Sequence, residues 1–233
     1  MTKEITETGN ITKHLIFRHS KKAKRVSLRI DPIIQKGVLI LPMDASVQEG
    51  LALAKKHENW LRKQINNLPP LMSFSEGIFI PFKGKRMIIK HGGNTRGLVK
   101  IRGNQLLVFG HIEHLQRRLT DWLKSQARSE ITQLVTDKSS MIGLKPGRIF
   151  IRDQKSRWGS CAYNGNLSFN WRLIMAPNFV LEYVVSHEVA HLLEHNHSCA
   201  FWDIVESITD YKKQGRDWLK REGLQLHRYG RLN

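Results

Sequence analysis

The sequence predicts an α+β fold, and three features carry that expectation. Short alternating apolar runs, bounded by Gly and Pro, crowd the stretch before residue 110. A long 3.6-residue apolar period follows them. The last third then mixes a hairpin pattern with further helices.

Taken in order, VSLRI (residues 26–30) and GVLILP (37–42) alternate as strands do. Ser46 and Glu49 have the spacing of a capping box and open a predicted helix over residues 47–66. Residues 68–75, around Pro69 and Pro70, read as a linker, so residues 1–70 form a first, mostly β segment with a helix. GIFIPFKGKRMIIKH and GLVKIRGNQLLVF each read as two short strands about a Gly-containing turn, Gly103-Asn104 being the clearest. They make residues 71–110 a β-hairpin region. From about residue 112 to 136 a helix is predicted, with Leu115, Leu119, Trp122, Leu123 and Ile131 as its apolar stripe. RIFIRDQ (148–154) reads as a strand. SRWGSCAY and NLSFNWRLI flank Asn164-Gly165, two residues that tolerate the positive φ of a tight hairpin. Pro177 prepares the start of a helix carrying FVLEYVVSHEVAHLLEH, and Asn196 is a left-handed stop for it. Two shorter helices are expected over 200–208 and 211–222, completing a segment of residues 111–233.

Composition narrows the setting. A chain of 233 residues can bury a core without disulfides, and its two cysteines, Cys161 and Cys199, imply no disulfide framework. They read instead as small buried hydrophobes in a reduced compartment. MTKEITETGNITKH has no apolar signal region, and no run approaches the ~20 apolar residues of a membrane span, so the expected location is cytoplasmic. Thirty-eight Lys and Arg against 20 Asp and Glu leave a charge of +18, which attracts polyanions or simply solubilises the surface.

The chemistry lies in HEVAH. His187 and His191 are four residues apart, so on a helix both imidazoles share one face and reach one zinc ion. Glu188 is then placed to take a proton from an activated water. A carboxylate between two histidines after the apolar run FVLEYVV is costly to bury without a compensating ion. A third ligand is required. Glu194 and His195 share the helix face of His187, but residues 187 to 194 span about 10 Å of straight helix, too far to converge on one ion. The chain must turn first, which makes His197 the favoured candidate and Glu206, on the next helix, the alternative. The His191-to-His197 spacing matches the extended metzincin pattern, yet Glu194 stands where that pattern has glycine and no Met-turn follows.

RWGSC (157–161), GNLSFNWRLIMAP and YVVSHEVAHLLEHNHSCAFW together resemble the YgjP-like metallopeptidase family and, more distantly, SprT-like proteases. RHSKKAKRVSLRI and NWLRKQ are similar to that family's opening segment, so the resemblance spans nearly the whole chain. It implies His187, His191 and His197 as zinc ligands and Glu188 as general base. It also implies a zincin-like "minigluzincin" domain with a β-sheet beside the active-site helix. A strand bordering the metal can pair with an extended peptide. Trp158, Gly159 and Ser160 would then shape a substrate groove, with Gly159 allowing close backbone approach. The competing reading makes Trp158 and Trp171 core aromatics and Gly159 a bulge. Arg157 could steady an oxyanion or form a surface ion pair. Trp202 reads as the packing anchor of the helix after the site.

Two basic segments remain. Residues 18–29 hold six Lys or Arg and no acid; Lys212, Lys213, Arg216, Lys220, Arg221, Arg228 and Arg231 form a second cluster relieved by Asp217 and Glu222. They could track a phosphate backbone, although no sequence-specific nucleic-acid signature is present. The leading expectation is a zinc peptidase acting on peptides or proteins. The alternatives are a metal-dependent nucleoside triphosphate pyrophosphatase, a DNA-associated SprT-like protease, and a nucleic-acid binder with a structural zinc. Against the pyrophosphatase stand the missing P-loop and the missing acidic cluster for magnesium.

Overall fold

A computed structural model describes residues 12–95 and 97–230. Arg231 of the second basic cluster and the first eleven residues, with their leader reading, lie outside the described residues. The chain divides into two compact units between Pro70 and Leu71.

The first unit is a three-stranded sheet with two helices. Strands β1 (Leu15–His19), β2 (Ser27–Asp31) and β3 (Lys36–Leu41) lie in the order β1-β3-β2, β3 running parallel to β1 and antiparallel to β2. β2 and β3 fall where alternation placed them. β1 has too short an apolar run between polar neighbours to be read from its own residues, and it pairs only because β3 offers it an edge. Ser46 starts α1 (Val47–Lys56) with both arms of the capping box formed. The single helix expected over 47–66 is two. At His57 (φ −110, ψ 22) the N–H is shared between the Leu53 and Ala54 carbonyls, which tightens the last turn, and α2 (Glu58–Asn66) restarts on Glu58. Leu15, Leu39, Ala54 and Leu61 make the core of this unit.

The second unit begins with the two expected hairpins, β4 (Phe79–Phe82) with β5 (Lys85–His91) and β6 (Val99–Arg102) with β7 (Gln105–Val108). Positive φ at Lys83 and Gly84, and at Gly103, makes their tight turns. Parallel pairing of β5 with β7 joins them in the order β4-β5-β7-β6. Helix α3 (Leu115–Met141) runs five residues beyond the expected end. Its buried residues recur every fourth position, from Leu115 through Leu119, Leu123, Ala127, Ile131 and Val135 to Ser139. Against 3.6 residues per turn that spacing drifts about 40° per step, so the stripe spirals around the helix. It touches the hairpin sheet as well as the helix that carries HEVAH. Trp122 sits off the stripe, half-buried, 5.1 Å from the Phe82 ring.

Strands β8 (Ile149–Arg152), β9 (Gly159–Cys161) and β10 (Leu167–Asn170) form the third sheet in the order β8-β10-β9. Gly165 turns the β9–β10 hairpin at φ 75. The strand expected through WRLI ends at Asn170, whose side chain accepts the Arg172 N–H and starts a 3-10 helix, Trp171–Met175, with all five residues buried. The Arg172 guanidinium is buried too, donating to Asp153 and to the Tyr229 carbonyl. Helices α4 (Asn178–Ala190), α5 (Cys199–Ile208) and α6 (Lys212–Leu226) complete the unit. One continuous core takes in Ile80, Ile89 and Leu106 of the hairpins together with Leu119, Ile131 and Val185 of the helices. The fold is α+β. Among the described residues no helix is long and apolar enough to cross a membrane.

Candidate metal centre

Helix α4 is buried on nearly every side, packing against α3, α5, α6 and β9. It is the helix expected to carry HEVAH, but it stops at Ala190 rather than running on to His195. Its last turn tightens: the N–H groups of Leu192 and Leu193 reach back only three residues, to Val189 and Ala190. The Glu194 carbonyl then turns inward and bonds His191 Nδ1 at 2.9 Å, an orientation that continued helix would forbid. Asn196 is not a left-handed stop either, since Gln35 and Lys83 are the only non-glycine positive-φ residues among the described residues. It acts through its side chain. Its amide donates to the Glu194 carboxylate at 2.6 Å and its oxygen accepts the Ser198 N–H at 2.8 Å. Ser198 in turn caps α5 by accepting the Phe201 N–H. This short, tied loop carries His197 back over the end of α4.

The three imidazoles meet there. Donor atoms of His187, His191 and His197 all lie within 4.8 Å of one another, and His187 Nε2 is 3.1 Å from His197 Nε2. Two nitrogens on a tetrahedral zinc, each ~2.0–2.1 Å from it, stand roughly 3.3 Å apart. Phe201 is the apolar floor, its ring 4.4–4.9 Å from all three. Trp202 stands 5.8 Å from His187 and from His197. His187 Nδ1 is buried without a hydrogen-bond partner, so packing against Phe201 and Tyr183 holds that ring. Burial pushes the His187 pKa down to about 3, helped by His191, His197 and Arg216. Burial lowers His191 as well, against the opposing pull of the Glu194 carbonyl. Neutral imidazoles keep the lone pairs that a metal needs. Glu206 is elsewhere, exposed and paired with Lys212 at 2.5 Å.

Glu188 is 6% exposed beside this cluster. Burial pushes its carboxyl up to about 8, while Arg157 and the Cys161 backbone N–H pull it back. It lies against β9 so closely that a Cβ on Gly159 would sit 2.5 Å from its Cγ and Oε1. The close approach expected at Gly159 is thus made by Glu188 itself. Gly159 pairs regularly with Phe169 and is not a bulge. The hydrogen bonds from Asn170 N–H to Trp158 O and from Ala162 N–H to Asn166 O fix the pattern of the hairpin. Residues 158, 160 and 162 face β10, so the backbone groups of Gly159 and Cys161 face away from it. Among the described strands β9 has no second neighbour.

A cleft of about 540 Å³ opens here, lined by Arg157, Gly159, Ser160, Glu188 and the three histidines among others. Trp158 is not in it. Its ring packs 4.7 Å from His227 and against Gly223 of α6, which revises its expected place in the groove. Trp171 is a core aromatic. Cys161 lines the cleft half-buried, its thiol pushed up to about 11 by burial and by Glu188. Cys199 is exposed, contrary to the expectation of a buried hydrophobe, because it opens α5 on the outer side of the tied loop. Phe201 and the rim residue Tyr163 were not singled out by sequence reading, and Asn196 and His195 were weighed there only as a helix stop and as a ligand too far along the helix. The one legible signal was N-H-S, an Asn two residues before a helix-capping serine. In the second basic cluster, Lys212 and Arg216 lie over the Trp202 ring, and Lys213 and Lys220 share a surface cleft with Glu206, Asp210 and Asp217.

Residues 24–222 match the family model described as YgjP-like, metallopeptidase domain. No curated protein matches the chain. Two similar solved structures are metallopeptidase zymogens, abylysin of Pyrococcus abyssi and jannalysin of Methanocaldococcus jannaschii, each at 22% identity. The first match covers 40% of this chain and 95% of abylysin, with a TM-score of 0.36. The second covers 41% of this chain and 94% of jannalysin, with a TM-score of 0.33.

Proposed function

The chain belongs to the YgjP-like metallopeptidase family, and from that premise we propose a zinc-dependent peptidase in which His187, His191 and His197 hold the metal and Glu188 is the general base. The observation that carries this reading is the convergence of three imidazoles, His187 and His191 among them held towards the neutral form by burial, beside one buried carboxylate. Three protein donors leave a coordination position open, as catalytic zinc sites do. Zinc, when held, acidifies a water towards pKa ~7 and polarises a scissile carbonyl. Glu188 takes a proton from the attacking water and delivers it to the leaving amine. Arg157 and the Cys161 N–H favour the ionised carboxylate that this first transfer requires. Arg157, exposed on the cleft, is also placed to steady negative charge developing on the carbonyl oxygen. Gly159 and Ser160 line the groove, and the outward backbone groups of Gly159 offer an extended peptide hydrogen bonds, the Cys161 N–H being held by Glu188.

A phosphohydrolase reading gains nothing from the site. Among the described residues the histidine trio is the group found that could hold a metal, and it offers imidazoles rather than the carboxylates that suit magnesium.

The test is metal analysis paired with proteolysis of a denatured protein. Purified protein is expected to carry about one zinc per chain. Glu188→Gln is expected to keep that zinc and lose about 10²–10⁴-fold in kcat. Undiminished turnover in Glu188→Gln would remove this residue from the mechanism.

A further inference from the structure

We infer that the first unit carries a binding surface for the phosphate backbone of nucleic acid, formed by Arg18, Lys21, Lys22, Lys24, Arg25 and Arg29. It does not depend on the peptidase reading above. Strand β1 runs antiparallel to β2 with β3 between them, so the chain from His19 to Ser27 crosses the end of the sheet beside Leu41. Two strand spacings make that crossing roughly 10 Å wide. Four of the six cations lie on it, and Arg18 and Arg29 stand on the strands at either side. Leu15, Phe17, Leu28 and Ile30 pack into the core with Ala54 and Leu61 of the helices. Arg18 and Arg29 are one position out of phase with them and face the other side of the sheet. All six cations are exposed.

The crossing is held in shape by its own bonds. Ser20 N–H donates to Leu41 O at 2.8 Å and Ala23 N–H to Ser20 O at 3.2 Å, while Ser20 Oγ accepts the Lys22 N–H at 3.3 Å. His19 Nδ1 lies 3.2 Å from Pro42 O. The positive charge is left largely uncompensated. The described residues of this unit hold twelve Lys and Arg against four Asp and Glu. Asp31 accepts the N–H groups of Ile33 and Ile34, Glu49 belongs to the capping box of α1, and Glu58 pairs with Arg62 at 2.8 Å. Asp44 is the fourth acid. Among the described residues none of the six cations forms an ion pair.

Surfaces that serve solubility alone intersperse both signs, whereas like charges crowded on one crossing repel each other. A partner dense in negative charge relieves that repulsion, and a nucleic-acid strand offers one phosphate per about 3.4 Å of helix axis. Residues 18–25 contain no large apolar side chain that could enter a bilayer. Residues 18–29 contain no Phe, Tyr or Trp on which a base could stack. The fit is therefore to a phosphate backbone, whatever its sequence. The second basic cluster is different. Lys212, Lys213, Arg216 and Lys220 share their cleft with Glu206, Asp210 and Asp217, and Lys212 is already paired with Glu206.

The experiment titrates the full chain into fluorescent oligonucleotides of about 20 nucleotides, single-stranded and duplex, in two unrelated sequences and at several salt concentrations. A Kd of about 1–100 μM at ~0.15 M salt is expected for at least one form, equal for both sequences and weakening steeply as salt rises. The tighter form identifies the strand structure that is bound. Replacing Lys21, Lys22, Lys24 and Arg25 together by Gln should weaken binding about tenfold or more at ~50 mM salt and reduce the slope of log K against log salt by about 2–3. These side chains are exposed, so the melting temperature of that variant should not fall. Replacing Lys212, Lys213, Arg216 and Lys220 by Gln removes the same charge and should change Kd less than about threefold. No binding at ~50 mM salt, an equal loss in the two variants, or a Kd that depends on base sequence would each overturn the inference. So would tighter binding to phosphatidylcholine vesicles with about 30% phosphatidylserine than to either oligonucleotide.

Discussion

Glu188, the proposed general base, takes a position that depends on an absent side chain. Gly159 leaves the space in which its carboxylate reaches the Cys161 N–H, and a methyl group there would stand 2.5 Å from Cγ and Oε1. Glu188 cannot retreat from that methyl without losing its backbone bond. Gly159→Ala is therefore expected to cost about 1–3 kcal/mol of stability. It should also lower kcat more than it lowers zinc content, as thermal melts and metal analysis of one preparation would show. A second residue-scale expectation concerns pH in the metal-free protein. Glu188 titrates near 8 when folded against an ordinary 4.5, so the folded state keeps a proton that the unfolded chain sheds, and stability is lost as pH rises through that window. His187 runs the other way. Its folded value of about 3 lies below the ordinary 6.5, so stability is lost as pH falls from 6.5 towards 3. The two slopes oppose each other between 4.5 and 6.5, and Glu188 acts alone above 6.5. Metal-free protein should melt at lower temperature at pH 8 than at pH 6.5, and Glu188→Gln should flatten that difference. A difference that survives in the variant would assign the slope to other groups.

At the scale of elements, the site depends on where a helix ends. Straight continuation of α4 through His195 would have carried the last histidines away from one another, and the turn at Ala190 brings them back. The loop that does this is held by side chains rather than by secondary structure: Asn196 bonds both Glu194 and Ser198, and Ser198 caps α5. Asn196→Ala leaves every imidazole in place chemically but frees the loop that positions His197. Loss of such supporting bonds around a metal weakens binding about 10–100-fold. Competition titration with a chromophoric chelator should show that loss for Asn196→Ala. Equal zinc affinity would mean that the packing of Phe201 alone positions His197.

For the whole molecule, the three histidines and Glu188 all fall in the unit from Leu71 onward. Zinc that binds only the folded form stabilises it by about 2.7 kcal/mol at a hundredfold excess over Kd. For a domain of this size that is a rise in Tm of roughly 5–11 °C. A shortened chain of residues 71–233 should show a similar rise, read by calorimetry with zinc and with chelator. A shift present in the full chain and missing in the shortened one would tie metal binding to the first seventy residues.

Most of the elements, and the cluster of residues on which the proposed chemistry rests, were legible in the sequence. HEVAH carries its own geometry in a four-residue spacing, and Ser46 with Glu49, Gly103 and Asn164-Gly165 mark a helix start and turns through contacts between near neighbours. Their physics is local, so it is legible in a linear text. The same local reasoning showed that a third ligand had to follow a change of direction, and it left His197 and Glu206 as the candidates. What lies between distant residues was not legible. The early end of α4, the pairing of β1, the turn of Trp158 away from the cleft and the seat of Glu188 against Gly159 all depend on partners far along the chain. Tertiary structure decided them because burial is a property of a neighbourhood. Glu188 is pushed up and His187 pushed down by the packing around the end of α4, and no spacing of letters records that packing.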